Sequence, residues 1–212
     1  MNPDLPRFLT LSPVIPVVTL RDARIASEVA RALLRGGIGV IEVTLRHAEG
    51  LKAIAAISRD VPEMLVGAGT VLSAEDLRGA VQAGAGFAVS PGSTAGLRAA
   101  AREASIPWLP AVATPSELME GLAAGYRNFK FFPATAAGGI AMLQSLQAPF
   151  PEVKFCATGG IDASNARDFL RLTNVVCIGG SWLVPRDALE RRDFGRSEAL
   201  ASAAATLREA AG

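Results

Sequence analysis

The sequence predicts an α/β fold, a single (β/α)8 barrel over residues 1–212 with an N-terminal extension and a C-terminal helix. Three observations predict it. Short β-branched and apolar runs alternate with amphipathic helical segments eight times, and such alternation gives parallel strands joined by crossover helices. Runs such as Val14-Ile15-Pro16-Val17-Val18 and Val175-Val176-Cys177-Ile178 are apolar on both faces, as strands covered by helices must be. No composition break or Gly/Ser/Pro linker divides the chain. Eight units suit a closed TIM barrel better than the rival open, doubly wound sheet, although 212 residues is near the short end for that fold.

The first strand is expected over 14–20, followed by a helix over 22–35. Asp22 caps that helix, and Ala26, Val29, Ala30 and Leu33 form its apolar face. Gly36-Gly37 ends it, because glycine tolerates the left-handed backbone at a helix C-terminus. The remaining strands are expected over 40–45, 64–70, 87–90, 108–113, 129–132, 153–158 and 175–178. Between them lie helices over 49–58, 74–83, 95–104, 115–124, 140–146 and 163–170. A last alanine-rich helix, about 197–211, is expected to pack outside the barrel.

Composition narrows the chemistry. The chain is 50% hydrophobic and 19% charged, which excludes a disordered protein. Its 21 basic and 20 acidic residues leave a formal charge of +1, too little to favour nucleic acid or an anionic membrane as partner. No apolar run approaches the roughly 20 residues of a membrane span, and Met1 to Phe8 carries no basic leader. The expected location is therefore cytoplasmic. Cys156 and Cys177 are too few for a disulfide framework and read as small buried residues. With His47 as the one histidine, a metal site or a Ser-His-Asp triad is not expected, and no cofactor is called for. His47 itself is placed at the rim.

The candidate chemistry sits on strands. The three lysines are Lys52, Lys130 and Lys154. Lys52 falls on a helix and reads as a solvated charge. Lys130 lies in Phe129-Lys130-Phe131-Phe132-Pro133, where neighbouring rings strip water from the ammonium and favour the neutral amine that attacks a carbonyl. A snorkelling lysine with its stem on the rings fits that context equally well. Lys154 opens its strand and should point to the closed end of the barrel, since active sites lie at the strands' C-terminal ends.

Glu42, Thr44 and Arg46 alternate along the second strand and so share a face. A functional reading makes Glu42 a general acid/base and Arg46 a clamp for a carboxylate; the alternative is a buried Glu42–Arg46 ion pair. Thr158-Gly159-Gly160-Ile161-Asp162 follows strand seven, and Gly179-Gly180-Ser181 follows strand eight. Loops at those two positions often bind phosphate through side-chain-free amides, unless the glycines simply make tight turns. Asp162 reads as a helix cap. Val66-Gly67-Ala68-Gly69-Thr70 supports a dinucleotide site only weakly, because Leu72 replaces the third glycine. A ligand with a carboxylate at Arg46, a carbonyl at Lys130 and a phosphate at the glycine pairs would span the barrel mouth. That describes a phosphorylated 2-keto acid.

Six motifs occur in order: Ile41-Glu42-Val43-Thr44-Leu45-Arg46, Val66-Gly67-Ala68-Gly69-Thr70-Val71-Leu72, Ser90-Pro91-Gly92, Phe129-Lys130-Phe131-Phe132-Pro133-Ala134, Thr158-Gly159-Gly160-Ile161, and Cys177-Ile178-Gly179-Gly180-Ser181-Trp182 running on to Pro185. Together they resemble the 2-keto-3-deoxy-6-phosphogluconate (KDPG) aldolases, class I enzymes of the Entner–Doudoroff route, from about Pro13 to Leu189. The resemblance implies that Lys130 forms the Schiff base and Glu42 moves the protons. It implies that Arg46 and Thr70 bind the keto-acid carboxylate end, with Pro91 at the pocket floor and Phe132 beside the imine. Thr158, Gly159, Gly160, Gly180 and Ser181 would line the phosphate end. A metal-free homotrimer is implied as well.

Two places depart from the family pattern. Thr135-Ala136-Ala137 stands where an acidic residue and an asparagine are expected, and Pro110-Ala111 replaces Pro-Gly. Both bear on sugar-acid preference, so 4-hydroxy-2-oxoglutarate and 6-phosphogalactonate-type substrates remain alternatives, as does a sugar-phosphate-binding barrel without turnover.

Overall fold

The computed structural model describes residues 5–208. Its elements, in chain order, are β1 (Val14–Val18), α1 (Ala26–Arg35), β2 (Val40–Thr44), α2 (Gly50–Asp60), β3 (Leu65–Gly69), α3 (Ala74–Gln82), β4 (Ala88–Val89) and α4 (Ala95–Glu103). There follow β5 (Trp108–Leu109), β6 (Ala111–Val112), α5 (Pro115–Ala123), β7 (Asn128–Phe131), α6 (Gly139–Gln147), β8 (Lys154–Thr158), α7 (Ala166–Leu170), β9 (Val175–Gly180), α8 (Arg186–Arg191) and α9 (Phe194–Ala205). All strand pairings are parallel, in the order β5-β4-β3-β2-β1-β9-β8-β7-β6.

The ends of that order explain how the sheet closes. β5 and β6 are two halves of the single strand expected over 108–113, interrupted at Pro110. Proline has no N–H to give to a ladder, so the stave breaks there. Trp108 pairs with Ala88 on one side and Ala111 with Lys130 on the other. The Pro110 carbonyl accepts the Lys130 amide at 2.9 Å. Eight staves therefore form a (β/α)8 barrel through one broken stave.

Local chemistry sets the helix starts. Ser73 with Asp76 and Thr114 with Glu117 form reciprocal capping boxes at α3 and α5, and Thr94 caps α4 by accepting from the Leu97 amide. Asp22 caps a short 3-10 turn, Ala23–Ile25, that leads into α1, so the regular helix starts later than expected. Asp162 likewise caps a turn, its carboxylate accepting the Ser164 amide at 2.8 Å. The helix expected to open at 163 begins at Ala166.

α9 packs on the outer side of the barrel, against α1. The close approach falls at Gly36, where a Cβ would lie 2.6 Å from the Glu198 carbonyl oxygen; Gly36 thus leaves room for a helix as well as ending one. α9 starts at Phe194 and ends at Ala205, earlier at both ends than the expected 197–211, and residues 209–211 lie outside the described residues.

The N-terminal extension runs through a 3-10 turn, Arg7–Leu9, beneath the barrel. Phe8 stacks on Phe87 with ring centroids 4.3 Å apart, and Phe87 in turn fills the space left by Gly67 on β3. Phe87 immediately precedes β4, so this stack closes the strands' N-terminal end. Phe8 is 2% exposed; Phe8→Ala is expected to destabilise the protein by about 3 kcal/mol, read from urea unfolding, and a loss below about 1 kcal/mol would show that the plug does not bear on the core.

Candidate active site

Alternation along β7 decides what surrounds Lys130. Residues two apart on a strand share a face, so Lys130 and Phe132 point together while Phe129 and Phe131 point the other way. Phe129 fits against Gly121 of α5, and Phe131 meets Phe155 edge-on at 6.1 Å. Both therefore pack outward, under the helices. The expectation that several rings desolvate the lysine is corrected: Phe132 alone faces it, with Nζ 5.2 Å from the ring centroid. The barrel interior excludes the rest of the water, leaving the Lys130 side chain 5% exposed.

Glu42 reaches the same point from β2. Its Oε1 is 3.4 Å from Lys130 Nζ, and its side chain is 4% exposed. A Cβ on Gly69 would occupy the place of this carboxylate, which gives the second glycine of Gly67-Ala68-Gly69 a packing task in place of a dinucleotide one. The ion pair that sequence left open between Glu42 and Arg46 is not formed. Arg46 lies beyond the end of β2, exposed, and its Nε donates to Thr70 Oγ1 at 3.1 Å. Thr44 is fully buried and joined to Thr19 by a 2.8 Å hydroxyl–hydroxyl hydrogen bond, so the middle member of the polar face ties β2 to the β1–α1 loop.

Thr70 adopts φ 59°, a left-handed conformation at a β-branched residue. Such a backbone is costly, by about 1–3 kcal/mol, and tends to persist where function needs the direction it gives. Here it turns the hydroxyl toward Arg46. Pro91 follows the fourth stave and sits next to Ser90, whose buried hydroxyl accepts the Trp108 indole N–H at 2.7 Å.

The two glycine pairs turn out to differ. Gly159 and Gly160 have φ 105° and 72° and form a true turn after β8. Among the described residues neither amide donates a backbone hydrogen bond, which suits an anion site. Gly179 and Gly180 instead belong to β9, in register with Ile15 and Pro16. Their missing side chains make room: Thr158 packs over Gly179 and the Trp182 ring over Gly180. The expectation of a second glycine turn is corrected accordingly. Thr158 is buried, while Ser181 is exposed at the mouth.

Sequence reasoning missed Thr135. Its Oγ1 donates to the Gly159 carbonyl at 3.1 Å, and its side chain fills the space a Cβ on Gly160 would need. The departure from the family pattern at this position was the signal. Thr19 was missed too, since a hydroxyl after β1 has no motif to mark it.

The remaining candidates fall away from the centre. Lys154 Nζ donates to the Thr173 carbonyl at 3.0 Å, at the closed end of the barrel, and Lys52 pairs with Glu49 at 2.7 Å on the surface. His47 Nδ1 accepts the Glu49 amide at 3.3 Å. Burial, together with the adjacent Cys156 thiol, pushes the Cys177 thiol well above its ordinary range, as expected of an inert buried cysteine. Among the described residues no group of three His, Cys, Asp or Glu side chains is placed to hold a metal, and no helix is long and apolar enough to cross a membrane.

The family model described as KDPG and KHG aldolase matches residues 6–200. The chain belongs to that family. It is 51% identical over 194 residues to the KHG/KDPG aldolase of Escherichia coli K12, covering 92% of this chain and 91% of that one. A KDPG aldolase from Legionella pneumophila, solved with pyruvate captured as a covalent carbinolamine, is 46% identical with a TM-score of 0.92, over 93% of this chain and 96% of that one. The KDPG aldolase of Zymomonas mobilis ZM4, solved with 3-phosphoglycerate, is 42% identical with a TM-score of 0.90, over 94% of each chain.

In this aldolase-family chain each member of the interior pair needs the other to stay buried. Lys130→Met leaves a buried carboxylate uncompensated and is expected to lower the unfolding free energy by about 3 kcal/mol. Adding Glu42→Gln should recover more than about 1 kcal/mol of that loss; strictly additive effects in denaturant unfolding would show that the two groups do not interact.

Proposed function

We propose that the chain is a class I aldolase that reversibly cleaves 2-dehydro-3-deoxy-6-phosphogluconate to pyruvate and D-glyceraldehyde 3-phosphate. The observation that carries this reading is the Lys130 amine, held in the barrel interior 3.4 Å from the Glu42 carboxylate and one residue below the strand's mouth end. The carbinolamine trapped in the Legionella relative supports it, being the product of an amine adding to pyruvate.

Before attack, Lys130 must lose a proton, and Glu42 is the acceptor in reach. The neutral nitrogen adds to the C2 carbonyl to give a carbinolamine; Glu42 returns its proton to the carbinolamine hydroxyl, which leaves as water, so that an iminium forms and Glu42 is again a carboxylate. The iminium is an electron sink for the C3–C4 bond. As Glu42 takes the C4 hydroxyl proton, directly or through a water, that bond breaks and its electrons form an enamine. Glyceraldehyde 3-phosphate leaves. The enamine is protonated at C3, and hydrolysis of the resulting imine frees pyruvate and the amine.

Arg46 and Thr70, held to each other at the rim, bind the substrate carboxylate. This fixes C2 against Lys130, a positioning effect that is worth several powers of ten in rate. Pro91 forms the floor and Phe132 flanks the imine. Thr158, Gly159, Gly160, Gly180 and Ser181 line the phosphate end, with the unpartnered Gly159 and Gly160 amides facing the anion. The 3-phosphoglycerate in the Zymomonas relative carries the same two anionic ends, a carboxylate and a phosphate. No step calls for a metal or cofactor. We infer a cytoplasmic enzyme of the Entner–Doudoroff route working as a homotrimer, and sedimentation at micromolar concentration would read that assembly directly.

A second reading has its own support: the Escherichia coli relative is named for 4-hydroxy-2-oxoglutarate (KHG) as well as KDPG. Both substrates present the same 2-keto-4-hydroxy acid to Lys130 and Glu42.

Pyruvate with borohydride is expected to leave a reduced adduct that peptide mass spectrometry maps to Lys130. No adduct, or one on Lys154, would overturn the assignment. Glu42→Gln should fold and still trap pyruvate, with turnover lowered by about 10²–10⁴-fold and slow exchange at the pyruvate methyl. Undiminished exchange would return Glu42 to a purely structural pair.

A further inference from the structure

Beside the phosphate end lies a cavity of about 790 Å³ between the β1–α1 loop and the β9–α8 loop. It shares Ser181 with the site described above and is also lined by Thr19, Arg21, Trp182, Arg186 and Arg192. The cavity thus adjoins the proposed phosphate end at Ser181 and reaches α8 at its other end.

Its charges are mostly spoken for. Arg24 holds Asp22 at 2.9 Å, and Arg186 is bound to Glu190 at 2.8 Å. The Arg24 guanidinium, with a smaller contribution from Arg192, holds the Asp22 carboxyl below the usual carboxylate range. Arg21 and Arg192 are different: among the described residues neither side chain has an ion pair or a hydrogen bond, and both stand exposed at the cavity wall, Arg192 at the α8 end and Arg21 on the β1–α1 loop next to the barrel mouth. The base from which Arg21 reaches is fixed, because Thr19, two residues earlier, is bonded to Thr44 of β2 at 2.8 Å.

Among the residues proposed above for the phosphate end, none carries a positive charge. Two amides and hydroxyls can orient a phosphate, but a dianion brought out of water is held far better by a guanidinium, whose charge-assisted bonds are about twice as strong and come in pairs. We propose that Arg21 supplies this charge: it closes over the substrate phosphate from the β1 side, opposite the Gly159-Gly160 turn, with Ser181 between them. The proposal rests on the aldolase reading and deepens it, since it makes Arg21 the residue that selects phosphorylated over unphosphorylated 2-keto-4-hydroxy acids at a common reaction centre.

The test compares kcat/KM for the phosphorylated C6 substrate and for unphosphorylated 4-hydroxy-2-oxoglutarate in the native enzyme, Arg21→Gln and Arg21→Lys. The ratio between the two substrates is expected to fall by about tenfold or more in Arg21→Gln, through KM of the phosphorylated substrate, with Arg21→Lys in between. Thermal stabilisation of the protein by inorganic phosphate should weaken in the same order. A ratio within about twofold of native in Arg21→Gln, or undiminished stabilisation by phosphate, would overturn the proposal. Pyruvate–borohydride trapping in the same samples separates the two ideas: a native protein that traps pyruvate but shows no dependence on Arg21 defeats only the role of Arg21, whereas one that does not trap defeats the aldolase reading itself.

Discussion

One amine and one carboxylate, facing each other across the inside of a small barrel, are the constraint around which the rest is arranged. Taking either charge out of water alone is severely unfavourable, and even a good buried pair gains little net stability. The surroundings show how the pair is accommodated. Gly69 leaves room for the Glu42 carboxylate, and Phe132 offers the lysine a ring face. Phe129 and Phe131 are sent outward, where they build the layer between barrel and helices. An apolar pair at these positions would pack as well, so the polar one is best understood through what its atoms do to a bound keto acid.

From that pair the molecule divides along the strand direction. Below it, toward the strands' N-terminal ends, the structure is closed: Phe8 stacks on Phe87, and Lys154 is tied to the Thr173 carbonyl. Above it the groups become polar and less buried. Arg46 and Thr70 stand on one side of the rim, the Gly159-Gly160 turn and Ser181 on another. A ligand entering from this end would pass these polar groups before it reached the amine. The left-handed Thr70 backbone and the hydrogen bond from Thr135 to the Gly159 carbonyl fix the loops of that rim.

Much of this was legible in the residues. Polar side chains at every second position of an otherwise apolar strand marked Glu42 and Arg46, and a lysine among phenylalanines marked Lys130. Position along the strand separated Lys130 from Lys154. The capping residues Asp22 and Asp162 marked where the chain turns, although the regular helices begin only at Ala26 and Ala166. Other features were misread because sequence does not show what fills a space. Gly179-Gly180 looked like a second turn but serves Thr158 and Trp182; Gly69 looked like part of a nucleotide fingerprint but serves Glu42. Pro110 was visible, yet its consequence, a stave split in two, depends on which neighbours each half pairs with.

The chain order by itself determined the alternation of strands and helices, which polar residues share a strand face, and a short list of candidate groups for carbonyl chemistry. Those properties follow from local periodicity and from side-chain type. Which groups meet was decided only by tertiary structure. Glu42 and Lys130 are 88 residues apart and come together because the barrel closes; Arg46, four residues from Glu42, turns instead to Thr70. The reason is geometric: partner choice depends on distances across the barrel, and these exist only once all eight staves are in register.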